Sequence, residues 1–103
     1  MPLYDITDDA EADIREIVGY TLENWGVAKT NIYRKAIKDT FELIGRKTVV
    51  IRKFSDTFPD LLVTKCQHHY IFYLNEGVKK PTIIAVLHEA RDIVALLVSR
   101  LEA

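Results

Sequence analysis

Three histidines at 68, 69 and 88, a cysteine at 66, and the side chains of Lys65, Tyr73 and Arg91 are the groups with which this chain could do chemistry. Along a continuous strand, neighbours point to opposite faces. Cys66, His68, Tyr70 and Phe72 then share one face, and Lys65, Gln67, His69 and Tyr73 share the other. On the second face Lys65, His69 and Tyr73, joined by Arg91, supply a cation, a titratable base and a hydroxyl. Cleavage of RNA through its 2′-hydroxyl wants such groups: a base for that hydroxyl, an acid for the leaving oxygen, and positive charge on the phosphate. The plainer reading is a half-exposed face dressed for solubility, because scattered groups make no site without geometry. On the first face a zinc ion would draw on Cys66, His68 and His88, but no CxxC or HxxxH pattern supports it. Edge histidines with ordinary hydrogen bonds are the simpler account, and no metal or cofactor is expected.

The elements that must position these groups are bounded by size and charge. The chain has 103 residues, which suits one domain spanning 1–103. Lys and Arg number 14 against 15 Asp and Glu, a net charge of −1. No overall basic field argues for sequence-specific nucleic-acid binding. A single cysteine excludes an internal disulfide and suits a reducing cytoplasm. The opening residues lack a basic-then-apolar signal pattern, and the apolar run at 93–98 is too short to span a bilayer.

Residues 3–7, LYDIT, read as a first strand. Asp8 then offers a helix N-cap, with Glu11 three residues on. Ala10, Ile14, Ile17, Val18, Leu22 and Trp25 recur at helical spacing, which predicts a helix over 9–24 with Trp25 on its buried stripe. Gly26 stands where a left-handed C-terminal residue is wanted. Ala28, Ile32, Ala36, Ile37, Phe41 and Ile44 then mark a second helix ending near Gly45. The short connection implies an antiparallel hairpin.

Thr48–Ile51 is β-branched and reads as a strand or a packed loop, and 54–60, FSDTFPD, carries turn chemistry. Strand candidates follow at 61–67, 69–74 and 82–87. The first two are either one long strand or two joined by a tight bend; the last two form a hairpin through Asn75-Glu76-Gly77. Spacings within 91–102 favour a C-terminal helix. The order predicts an α+β chain, with an N-terminal strand and a helical hairpin on a largely antiparallel sheet. Residues 70–74 and 83–87 are apolar without alternation, so both sheet faces are dressed for burial. The C-terminal segment would cover part of the second face and a partner the rest.

DIREIVGYTLENWG at 13–26, a second helix from Val27, HYIFYL at 69–74 and IIAVLHEARD at 83–92 occur in this order. In these motifs the chain resembles the ParE branch of the ParE/RelE bacterial toxins, over roughly two-thirds of its length. The resemblance implies a RelE/ParE-like fold and the toxin half of a type II toxin–antitoxin (plasmid stabilisation) system in the cytoplasm. As partners it implies a cognate ParD-like antitoxin, bound as a hetero-oligomer, and DNA gyrase, inhibited by contact without chemistry. The expected partner-binding residues are Trp25 at the hairpin turn, Tyr70 and Phe72 on the sheet, and Ile93, Leu97 and Leu101 in the C-terminal segment.

RelE-like relatives are instead ribosome-dependent mRNA endonucleases that use cations and a C-terminal Tyr or His. Here no Tyr or His follows His88, which favours gyrase over Lys65, His69, Tyr73 and Arg91 as a nuclease site. The third alternative is an inactive member kept as an antitoxin-binding module. The chain departs from the family pattern in RKTVVIRKFSDTFPD at 46–60, in Ala85 where many relatives have arginine, and in a longer, more apolar tail.

Overall fold

In a computed structural model of the chain, residues 3–47, 52–75 and 80–102 are described. The paired apolar stripes become α1 (Asp8–Gly45), one helical run folded in two at Gly26. Gly26 has φ 86° and ψ 176°, a backbone region open essentially to glycine alone. We call Asp8–Trp25 arm 1 and Val27–Gly45 arm 2. Ile14 of arm 1 packs on the cluster that contains Ile37 and Phe41 of arm 2, as an antiparallel hairpin requires. The N-cap is Thr7 rather than Asp8: its hydroxyl accepts from the Ala10 N–H at 3.2 Å. Asp8, Asp9 and Glu11 then fill the first turn, where acidic groups oppose the helix dipole. At the far end a Cβ on Gly45 would meet the Leu3 Cβ at 2.5 Å, so a glycine there lets the N-terminal segment close against the helix.

The sheet has five strands in the order β1-β5-β4-β3-β2. They are β1 (Asp5–Ile6), β2 (Lys53–Ser55), β3 (Phe58–Cys66), β4 (His69–Leu74) and β5 (Thr82–His88). β1 runs parallel to β5 and all other pairs are antiparallel. FSDTFPD is mostly strand: Ser55 pairs with Phe58, leaving only Asp56 and Thr57 to turn. Cys66 pairs with His69, so the bend between β3 and β4 is the two residues Gln67–His68, with Gln67 at φ 57°. The expected strand at 48–51 and most of the β4–β5 loop, 76–79, lie outside the described residues.

The two-sided apolar runs have a simple cause. Ala10, Ile37, Phe41 and Ile44 of α1 bury Leu62, Cys66, Ile71, Tyr73, Ile83 and Val86 on one sheet face. On the other face, α2 (Ile93–Glu102) sets Leu97 over Leu61, Val63, Phe72, Ala85 and Leu87. Phe72 and Leu97 are each 1% exposed, and burial of side chains that size is worth about 1.5–3 kcal/mol apiece. Phe54 packs edge-on against Phe72, with centroids 5.4 Å apart. No helix among the described residues is long and apolar enough to cross a membrane.

Beyond Ile83 the edge of β5 opposite β4 has no strand beside it among the described residues, because β1 is only two residues long. Side chains cover that edge instead. The Val86 N–H donates to Asp13 Oδ2 at 2.9 Å, and Arg100 Nη1 donates to the Ile84 carbonyl at 3.0 Å. Arg100 also grips Asp13 through both nitrogens, at 2.6 and 2.8 Å. One bidentate pair thus joins arm 1, β5 and α2.

Candidate functional site

The tip of α1 overhangs the end of the sheet. The stripe that turns inward near the tip is Thr30, Tyr33, Ile37, Phe41 and Ile44, not the one led by Ala28 and Ile32. Ile32 is 68% exposed, and Trp25, expected in the core, is 65% exposed. Apolar periodicity misled at these positions because no sheet lies beneath them. Thr21 and Thr30 are buried and satisfy their hydroxyls on their own helix, at Ile17 O and Gly26 O.

Under the overhang runs a groove of about 620 Å³. Ile17, Tyr20 and Trp25 of arm 1 and Lys29 and Tyr33 of arm 2 form one wall; His68, His69, His88 and Arg91 form the other. Tyr20 and Trp25 stand exposed at its mouth, with the Lys29 ammonium 5.8 Å from the Trp25 ring. Arg91 reaches across to Glu16 at 3.7 Å.

The floor is set by Tyr33, whose hydroxyl meets His69 Nδ1. Burial pushes the Tyr33 phenol up to about 12. Burial, then the neighbouring His88 and His68, lowers His69 to about 4. A protonated phenol beside a neutral imidazole makes Tyr33 the donor and places the imidazole proton on Nε2. His88 packs edge-on against His69 at 5.1 Å and accepts the Ala90 N–H at Nδ1, 3.0 Å away. His68, in the turn, leans on Glu89 at 3.3 Å. At neutral pH the Tyr33–His69 pair is therefore uncharged.

The residues expected to form a nuclease face do not come together. Because Cys66 pairs with His69, these two share the α1 side, and Lys65 falls opposite Tyr70 on the α2 side. There Lys65 pairs with Glu89 at 3.0 Å, and its ammonium lies 5.5 Å from the Tyr70 ring. Tyr73 faces α1 but is 2% exposed, within the core. Only His69 and Arg91 line the groove. The zinc grouping of Cys66, His68 and His88 is likewise split, with Cys66 buried and His68 in the exposed turn. Among the described residues no three His, Cys, Asp or Glu side chains are placed to hold a metal ion.

Of the expected partner-binding residues, Trp25 is open to solvent. Phe72 and Leu97 are enclosed, and Tyr70, Ile93 and Leu101 are half-buried around them. On that face α2 supplies the cover expected of the C-terminal segment, with Leu97 packed over Phe72. Sequence reasoning missed Tyr33, Tyr20 and the Asp13–Arg100 pair. Tyr33 had a usable signal, its three- and four-residue spacing from Thr30 and Ile37; Asp13 and Arg100, 87 residues apart, had none.

Comparison with known proteins gives consistent results. A family model described as the ParE toxin of type II toxin-antitoxin system, parDE, matches residues 4–93. The chain is 32% identical over 102 residues to Toxin ParE of Escherichia coli, with 99% of each chain covered. Among solved structures it is similar to the chromosomal ParDE TA system from P. aeruginosa. That match has a TM-score of 0.69 at 15% identity, over 82% of this chain and 92% of that one.

Proposed function

The chain belongs to the ParE toxin family of type II toxin–antitoxin systems, and on that premise we propose that it inhibits DNA gyrase by direct contact and is held inactive by a ParD-like antitoxin. The observation that carries this reading is the family match along nearly the whole chain, 4–93. A solved relative described as a ParDE toxin–antitoxin system adds support for the antitoxin. The site chemistry agrees. His69 is lowered to about 4 and Tyr33 raised to about 12, so neither is poised to exchange protons near pH 7. An aromatic-mouthed groove of this kind is suited to holding a protein side chain.

In this reading the toxin has no chemistry of its own, and the overhanging tip with Tyr20 and Trp25 is the surface offered to gyrase. A supercoiling assay with purified gyrase tests it. Folded, antitoxin-free protein is expected to block supercoiling and leave cleaved DNA on the enzyme. Normal supercoiling at large molar excess refutes gyrase inhibition, and ribosome-dependent mRNA cleavage by the same preparation establishes the nuclease alternative.

A further inference from the structure

The hydrogen bonds around the histidine groove leave it with more donors than acceptors. His69 Nδ1 meets the Tyr33 hydroxyl, and His88 Nδ1 accepts the Ala90 N–H at 3.0 Å. With Nδ1 occupied as an acceptor, each ring carries its proton on Nε2. Both rings line the groove, with centroids 5.1 Å apart, and neither Nε2–H has an acceptor among the described residues. Two cations line it with them, Lys29 of arm 2 and Arg91 beyond β5. Lys29 has no carboxylate partner among the described residues.

The carboxylates of the lining are already engaged. Asp13 is neutralised by Arg100 at 2.6 and 2.8 Å and also accepts the Val86 N–H. Glu16 faces Arg91 at 3.7 Å, a loose and exposed pair that leaves several guanidinium N–H groups unused. With Asp13 cancelled, Lys29 and Arg91 outweigh Glu16. The groove is then a concavity of positive charge and free N–H donors beside the rings of Tyr20 and Trp25. A carboxylate on a short apolar stem is the complementary group, because N–H donors gain most from an ionised acceptor. A nucleic acid fits poorly. Arm 1, which forms one wall, carries Asp8, Asp9, Glu11, Asp13, Glu16 and Glu23 against Arg15 alone, so a polyanion laid along the groove meets repulsion that a single carboxylate does not.

We propose that the groove holds a carboxylate subsite, in which His69 and His88 donate through Nε2–H, Lys29 and Arg91 supply the charge, and Tyr20 and Trp25 flank the stem that carries the carboxylate. Its occupant is an Asp or Glu side chain of the gyrase surface with an apolar neighbour. The proposal rests on the reading of the chain as a gyrase-directed toxin and gives the exposed tip the chemistry by which it selects its contact. The donors come from arm 2, the start of β4, the end of β5 and the segment after it, so only the folded chain assembles them.

Two measurements test it. In the first, wild-type protein is titrated with phenylpropionate, with its amide and with inorganic phosphate, while the imidazole nitrogens are followed by NMR. Phenylpropionate is expected to shift Nε2 of both His69 and His88, with the amide and phosphate at least about tenfold weaker. In the second, affinity for purified gyrase is compared among variants. His88→Asn keeps an oxygen for the Ala90 N–H but loses the Nε2–H, and Lys29→Glu reverses the charge at the mouth. Each is expected to weaken gyrase binding about tenfold at an unchanged melting temperature. His88→Gln and His69→Gln, which place an amide N–H near the lost donor, stay close to wild type. Unchanged gyrase affinity in both His88→Asn and Lys29→Glu overturns the proposal and leaves gyrase inhibition standing. So does phosphate binding as tightly as phenylpropionate, which makes the groove a general anion site, or a titration that leaves both imidazoles unmoved. Wild-type protein that does not bind gyrase at all refutes the gyrase reading itself, and the proposed occupant falls with it.

Discussion

Replacing Asp13 by Ala removes the acceptor on which three elements converge. In the native chain its carboxylate takes two hydrogen bonds from Arg100, at 2.6 and 2.8 Å, and one from the Val86 N–H at 2.9 Å. The side chains are 11% and 18% exposed for Asp13 and Arg100, so the pair is largely withdrawn from water. Removing one partner of a buried pair costs about 3–5 kcal/mol, because the other charge is left uncompensated. Residual exposure of Arg100, and its remaining bond to the Ile84 carbonyl, place the expected loss near the lower end, about 3 kcal/mol. That is a large share of a stability of about 5–15 kcal/mol. At about 4–8 °C per kcal/mol for a chain of this size, the melting temperature should fall by about 12–24 °C.

Urea denaturation of wild type, Asp13→Ala, Arg100→Ala and the double variant closes a thermodynamic cycle, with a coupling energy of about 1.5–3 kcal/mol expected. Because α2 loses its tether to arm 1, Asp13→Ala should also bind more of a hydrophobic dye as the Phe72–Leu97 layer loosens. A loss below about 1 kcal/mol, or single effects that simply add, would refute the claim that this pair fixes α2 to the edge of β5.

Gly26→Ala tests the fold in α1. A Cβ there meets nothing within 4 Å, so the loss of about 1–3 kcal/mol comes from backbone conformation alone, and an unchanged melting temperature would disprove it. His69 gives a pH signature: its folded value of about 4 lies below the ordinary 6.5, so the unfolded chain binds more protons between those values. Stability is therefore full above about pH 6.5 and declines as pH falls toward 4. The half-exposed ring limits the effect to about 1–2 kcal/mol, and His69→Gln should flatten that part of the stability–pH curve. The same substitution is expected to leave toxicity intact in growing cells; its loss would point to a nuclease. Trp25→Ala should leave the unfolding free energy within about 0.5 kcal/mol of wild type while weakening gyrase inhibition, and full inhibition by this variant would exclude the tip as the contact.

Local sequence determined the elements whose physics is local. Apolar spacing at three and four residues marks both arms of α1, and Gly26 marks the fold between them, because helix burial and a positive φ are properties of a few adjacent residues. The unalternating runs in β4 and β5 announced a sheet buried on both faces. The covering of the second face by α2 was expected in part; its extent, with Leu97 and Phe72 sealed together, was not.

Tertiary structure decided what depended on register. A two-residue turn at Gln67–His68 pairs Cys66 with His69 and sends Lys65 to the opposite face, which a continuous strand would not do. The bulge between Phe72 and Tyr73 pairs them with Ala85 and Ile83, so Ile84 has no partner in the ladder. The exposure of Trp25 and Ile32 could not be read from their spacing, since a helical stripe is buried only where something lies beneath it. The meeting of Asp13 with Arg100 followed from neither spacing nor charge. It exists because β1 stops after two residues, leaving backbone groups of β5 that the fold brings within reach of one carboxylate and one guanidinium.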